Sequence, residues 1–178
     1  MKLAKLGFGT LALTALLCSV GCSSIKGSVF LITVGGDLKP ARLATVYILP
    51  VDVVPNADLL SKKETEIRDE CGTLDYMRSY HGGGSGSLDR YIQDYDNVLS
   101  SLEKMIQSNA ASKGFMLLAN EDGSFSRLVM KPGDYEVVAF GQAGINKGYW
   151  VSKIQLGPGE RKEIKMTAPT MSCNVLPM

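Results

Sequence analysis

Three glycine-bearing triplets, Glu121-Asp122-Gly123, Lys131-Pro132-Gly133 and Gly157-Pro158-Gly159, cut the C-terminal third of this 178-residue chain into runs too short for ordinary helices. Glycine supplies the positive φ that tight turns require, and proline presets φ near −65°, so each triplet ends one element and reverses the chain. Between and around them stand "FMLLA", "SFSRLVM" and "DYEVVAFG" and, past a glycine-rich loop, "YWVSKIQL" and "ERKEIKM". Residues 25–49 have the same style, two runs rich in Val, Ile, Thr and aromatics around a Gly-Gly-Asp and Lys-Pro connector. Seven short strands with this punctuation predict a mainly β chain, a seven-stranded antiparallel β-sandwich. Tyr135, Val137 and Ala139 alternate against Asp134, Glu136 and Val138, which fits a sheet with one wet face only in part.

The middle of the chain follows another period. Between Pro55 and Gly114 the β-branched residues thin out, and Leu88, Ile92, Tyr95, Leu99, Leu102 and Ile106 recur at alternating steps of four and three. That spacing is a heptad seam on one face of a helix. Leu60, Ile67, Cys71 and Leu74 form a comparable stripe upstream, interrupted by Glu64. "HGGGSGS" separates the two, so the middle reads as an antiparallel helical hairpin with a flexible connector, inserted between the second and third strands. Asn56 and Ser87 are the expected N-caps, since short polar side chains accept from first-turn amides. The hairpin either projects to offer a face to a partner or folds back over one sheet.

The first twenty-one residues stand apart. Lys2 and Lys5 precede an apolar run from Leu6 to Val20, shorter than a bilayer span and ending in small residues, which is the pattern of an export signal. Ser19-Val20-Gly21-Cys22 resembles the lipobox of bacterial lipoproteins. That resemblance implies cleavage before Cys22, a lipid on Cys22 and, with Ser23 following, sorting to the outer membrane; an ordinary secretory cleavage leaving a free thiol is the other reading. Loss of residues 1–21 leaves 157 residues, ample for a core, and takes the formal charge from +1 to about −1. No basic excess points to nucleic acid. Cys71 and Cys173 remain as a pair in a disulfide-permissive compartment, either bonded to each other or buried as free thiols.

Residues 122–141, "DGSFSRLVMKPGDYEVVAFG", join an Asp-Gly turn, a strand opening on Phe125, a Pro-Gly turn and a strand opening on Tyr135. This resembles the pattern of carboxypeptidase regulatory-like domains, which implies a transthyretin-like (prealbumin-like) sandwich. The resemblance covers the two β pieces and omits the hairpin. The expected organisation is a signal segment over 1–21, a tether and two strands over 22–56, the hairpin over 57–113, and the remaining strands with a C-terminal tail over 114–178. Transthyretin-like lipoproteins also serve as assembly factors in secretion systems, an analogy of fold.

Catalytic parts are scarce. His81 is the single histidine, placed in the glycine-rich connector, so neither a histidine metal site nor a Ser-His-Asp set can be assembled. The urate-pathway hydrolases with this fold use several histidines and a C-terminal Tyr-Arg-Gly-Ser signature, whereas this chain ends Asn174-Val175-Leu176-Pro177-Met178. Asp94 with Asp96 and Glu66 with Glu70 are carboxylate pairs, expected on solvated helix faces. Neither metal nor cofactor is implied. The expected function is that of a non-enzymatic, lipid-anchored envelope protein with a structural or assembly role and an envelope protein partner. A carbohydrate-binding module is the alternative, with Asn146 in the loop "GQAGINKG" and the Tyr149–Trp150 pair stacking on a glycan, against the reading that Trp150 fills the core. A pocket enclosing two close carboxylates would reopen catalysis.

Overall fold

The computed structural model describes residues 22–32, 36–81, 85–143, 146–167 and 169–174. Among these, nine strands form two sheets and two long helices lie between the third and fourth strands. In β1 (Ser23–Ile32) strict alternation buries Ser23, Ile25, Gly27, Val29 and Leu31. It is the central strand of the first sheet, pairing antiparallel with β2 (Leu38–Pro40) and β5 (Ser124–Met130) and parallel with β8 (Arg161–Met166). The second sheet is antiparallel throughout, in the order β4 (Phe115–Leu118), β3 (Thr45–Pro50), β6 (Gly133–Ala143), β7 (Asn146–Leu156), β9 (Met171–Asn174).

The seven expected runs correspond to β1 and β3 to β8. Two strands are added, β2 and β9, both too short to carry a period of their own and held by their pairing with β1 and β7. The sandwich is therefore not wholly antiparallel, because β8 returns alongside β1 with Ser24 opposite Arg161 and Val29 opposite Met166. Local pattern shows where a strand lies and leaves its neighbour open.

The second sheet is buried on both faces along its inner strands β3 and β6. Val46, Ile48, Val137, Ala139 and Trp150 pack against Ile25, Val29, Phe125 and Ile164 of the first sheet. Tyr47, Leu49, Val138, Phe140 and Tyr149 point the other way, into a second core with the helices. The incomplete alternation in β6 has this cause, since a strand covered on both sides needs no wet face. α1 (Ala57–His81) contributes Ile67 and Leu74, and α2 (Ser85–Lys113) contributes Tyr95, Leu99, Leu102 and Ile106, so the predicted seam is buried from Tyr95 to Ile106, with Ile92 half-buried and the Leu88 side chain outside the described set. The hairpin folds back as the third layer.

Local chemistry sets the joints. Asn56 caps α1, its Oδ1 accepting from the Asp58 amide at 2.8 Å. The other expected cap, Ser87, lies inside α2, which begins at Ser85 and so takes up part of the expected flexible connector; its side chain and residues 82–84 fall outside the described set. His81 is the last residue of α1, its side chain likewise outside that set. Gly114 lets the end of α2 meet β3, since a Cβ there would stand 2.8 Å from Leu49 Cδ2 and 2.9 Å from the Ala110 Cα. Gly123 adopts φ +78° in the Asp-Gly turn, whose Asp122 Oδ1 accepts from the Ser124 amide at 2.9 Å. Cys71 and Cys173 are disulfide-bonded, with Cα atoms 5.6 Å apart, which ties α1 to β9.

Candidate functional site

The residues expected to act fall in different places. Cys22 is exposed immediately before β1. Trp150 is fully buried between the sheets, and its Nε1 donates to the Phe30 carbonyl at 3.0 Å. Tyr149 faces the opposite way, stacked on Phe140 beneath the helices. Successive residues of a strand point to opposite faces, so the two rings cannot form one platform, and neither lies on a solvent-facing loop. Asn146 opens β7, half-buried, opposite Ala143 on one side and Asn174 on the other. The glycan platform expected at Tyr149, Trp150 and Asn146 is thus not assembled.

The expected carboxylate pairs lie on the two helices, Glu66 and Glu70 on α1 and Asp94 and Asp96 on α2, and three of the four meet a basic side chain. Asp96 accepts from Lys147 Nζ at 2.9 Å, Asp94 lies 3.9 Å from Arg90, and Glu66 lies 2.6 Å from Lys63. The first contact, with the Tyr95 hydroxyl donating to the Lys147 carbonyl at 2.8 Å, fastens α2 to β7.

A different set of residues encloses a half-open groove of about 490 Å³ where the start of α1 leaves the second sheet uncovered. Val138 and Tyr149 form its floor, Leu60 and Glu64 its wall on α1, and Leu102 and Ile106 its wall on α2. The 3₁₀ turn Val51–Val53, with Val54 and Pro55, closes one end. Polar groups converge on this apolar lining. Glu136 is only 7% exposed, and Lys153 stands opposite it across β6 and β7. Removal from water pushes the Glu136 carboxyl above its ordinary value, Glu64 pushes the same way, and Lys153 opposes them. The Tyr149 hydroxyl is enclosed, with the Glu64 carboxylate beside it as its acceptor. Burial first, and the neighbouring Glu64 carboxylate after it, hold its proton well above the usual phenol range.

The groove thus holds a buried carboxyl against an apolar lining. Chemically it offers two carboxylates, a phenol and an exposed ammonium beside apolar side chains. The sequence signal was the interruption of the α1 stripe by Glu64. The matching signal in β6 was Glu136, on the same face as Val138 and Phe140. Each reads locally as an ordinary polar position.

No protein-family model and no curated protein sequence matches the chain. Among solved structures, a Pseudomonas aeruginosa protein assigned provisionally as carbohydrate-binding aligns over 84% of this chain and 90% of its own, at 11% identity and a TM-score of 0.46. The pilus backbone of Streptococcus pneumoniae aligns over 83% of this chain at 10% identity and a TM-score of 0.33. A full-length structure of that pilin gives 11% identity and a TM-score of 0.34 over 84% of this chain. The chain spans 41% and 31% of those two pilin chains.

Proposed function

We propose that this chain is a non-enzymatic lipoprotein of the cell envelope, anchored through Cys22, whose transthyretin-like sandwich and docked hairpin serve binding or assembly. The Cys71–Cys173 bond carries this reading, because structural disulfides persist in oxidising compartments and an export signal over residues 1–21 would deliver the chain to one. Exposure of Cys22 supports it, since an anchor attached there leaves every strand in water. Arg161, Lys162 and the exposed Leu128 surround the same depression as Cys22, a mixture suited to the headgroup level. Fractionation tests the anchor. The wild-type chain is expected in the membrane fraction with Cys22 as a lipidated N-terminus in its mass spectrum, and Cys22→Ser in the soluble fraction. An unlipidated wild-type chain in the soluble fraction would sink the proposal.

Glu64 and Glu136 favour a second reading, acid–base hydrolysis, because a carboxyl with a raised pKa beside another carboxylate has the parts of a general acid and base. Turnover of chromogenic glycosides that vanishes in Glu64→Gln and Glu136→Gln would establish it. Absence of turnover above the rate of those two variants would leave binding as the role of the groove.

A further inference from the structure

We propose that the groove between α1 and the second sheet binds a primary ammonium group carried on an aliphatic stem, with Glu64, Glu136 and the Tyr149 hydroxyl as its three acceptors. The three stand against one apolar cavity of about 490 Å³, within the range of small-molecule sites. An ionised carboxylate only accepts hydrogen bonds, and a phenol oxygen accepts as readily as its hydrogen donates. Glu136 is 7% exposed against this lining, and the Tyr149 hydroxyl, whose hydrogen is directed at Glu64, keeps its oxygen lone pairs as acceptors.

Charge selects among donors. Of the charged groups lining the groove, the carboxylates of Glu64 and Glu136 are the sheltered members and Lys153 the exposed one, with Arg68 of α1 acting on Tyr149 from beside the lining. An anion would meet two carboxylates. A neutral alcohol would satisfy the phenol while leaving the buried Glu136 uncompensated. A primary ammonium has three N–H donors on one centre, which matches three acceptors, whereas a guanidinium spreads five donors over a plane. Binding a cation also favours the ionised form of Glu136, which burial disfavours. The remaining lining, Leu60, Leu102, Ile106, Val138 and Val151, is aliphatic and accommodates a methylene stem. The stem could belong to a free alkylamine or to the lysine side chain of a peptide, and both present the same group.

The site does not depend on lipidation, so it is tested on the chain from residue 22 with Cys22→Ser, which retains every strand and helix described. Isothermal titration at pH 7.5 compares hexylammonium, hexanol, hexanoate and a doubly capped lysine. Hexylammonium is expected to bind saturably, with hexanol and hexanoate weaker by about tenfold or more, the scale of one charge-assisted hydrogen bond. Tighter binding of the capped lysine would assign the ammonium to a peptide side chain, and weaker binding to a free amine. Glu136→Gln and Tyr149→Phe should each weaken hexylammonium by a similar factor while keeping the wild-type circular dichroism. Should either variant misfold, amide shifts of the wild-type protein decide the location, and they are expected at Val138, Val151 and Leu102. Equal affinity for hexanol, no saturation by any amine, or shifts confined to other surfaces would overturn the proposal.

Discussion

Glu136 and Trp150 show how a residue's meaning depends on what its strand faces. Trp150 starts from a sequence position that suited either a loop platform or a core, and the inter-sheet side of β7 decides for the core, with the indole N–H donating to Phe30. Glu136 sits in the same sheet on the helix side, where removal from water raises its carboxyl above the ordinary value of 4.5. A carboxyl raised on folding holds more protons in the native than in the unfolded state between the two values. Native stability therefore falls as pH rises through that interval, and the loss is complete above the folded value. Glu136→Gln removes the titration, and the groups facing it, Lys153 and Glu64, remain. The variant is expected to melt higher than wild type at pH 7.5, with the gap closing below pH 4.5, which paired thermal melts check. A gap independent of pH would show that burial of the charge is not its origin.

At the scale of elements, most of the architecture was legible because each element announces itself locally. The three glycine-bearing triplets placed the turns, and the alternating three and four steps placed the seam of α2 that now packs on Tyr47, Leu49 and Phe140. Two elements escaped for a common reason. β2 and β9 are three and four residues long, and strands that short exist because a neighbour offers free backbone groups. Docking of the hairpin is also a tertiary matter, made by the helix-side core and tied by the bond between Cys71 and Cys173. The bond closes a sequence separation of 102, so on the chain-entropy model its loss costs about 4–5 kcal/mol. Cys71→Ala with Cys173→Ala is expected to lower the denaturation midpoint accordingly and to speed amide exchange in α1 and β9 ahead of β1 and β6. Uniform acceleration across all elements would show that the hairpin and the sandwich open together without the bond.

Across the whole molecule the second sheet is shared by two cores, one against the first sheet and one against the helices. A shared layer couples the two, since neither core survives if β3, β6 and β7 dissolve. Urea unfolding followed by Trp150 fluorescence, which reports the inter-sheet core, should therefore coincide with unfolding followed by helical circular dichroism. An earlier helical transition would show that the third layer is an independent unit. The sequence by itself determined seven of the nine described strands, the two helices and the three glycine-bearing turns, because hydrophobic period and backbone chemistry are local properties of neighbouring residues. Tertiary structure alone decided that β8 runs beside β1, that the hairpin lies down on the second sheet, and that Glu64, Glu136 and Tyr149 meet in one groove. Those residues lie far apart along the chain, and only packing, which acts through space, brings them within reach of one another.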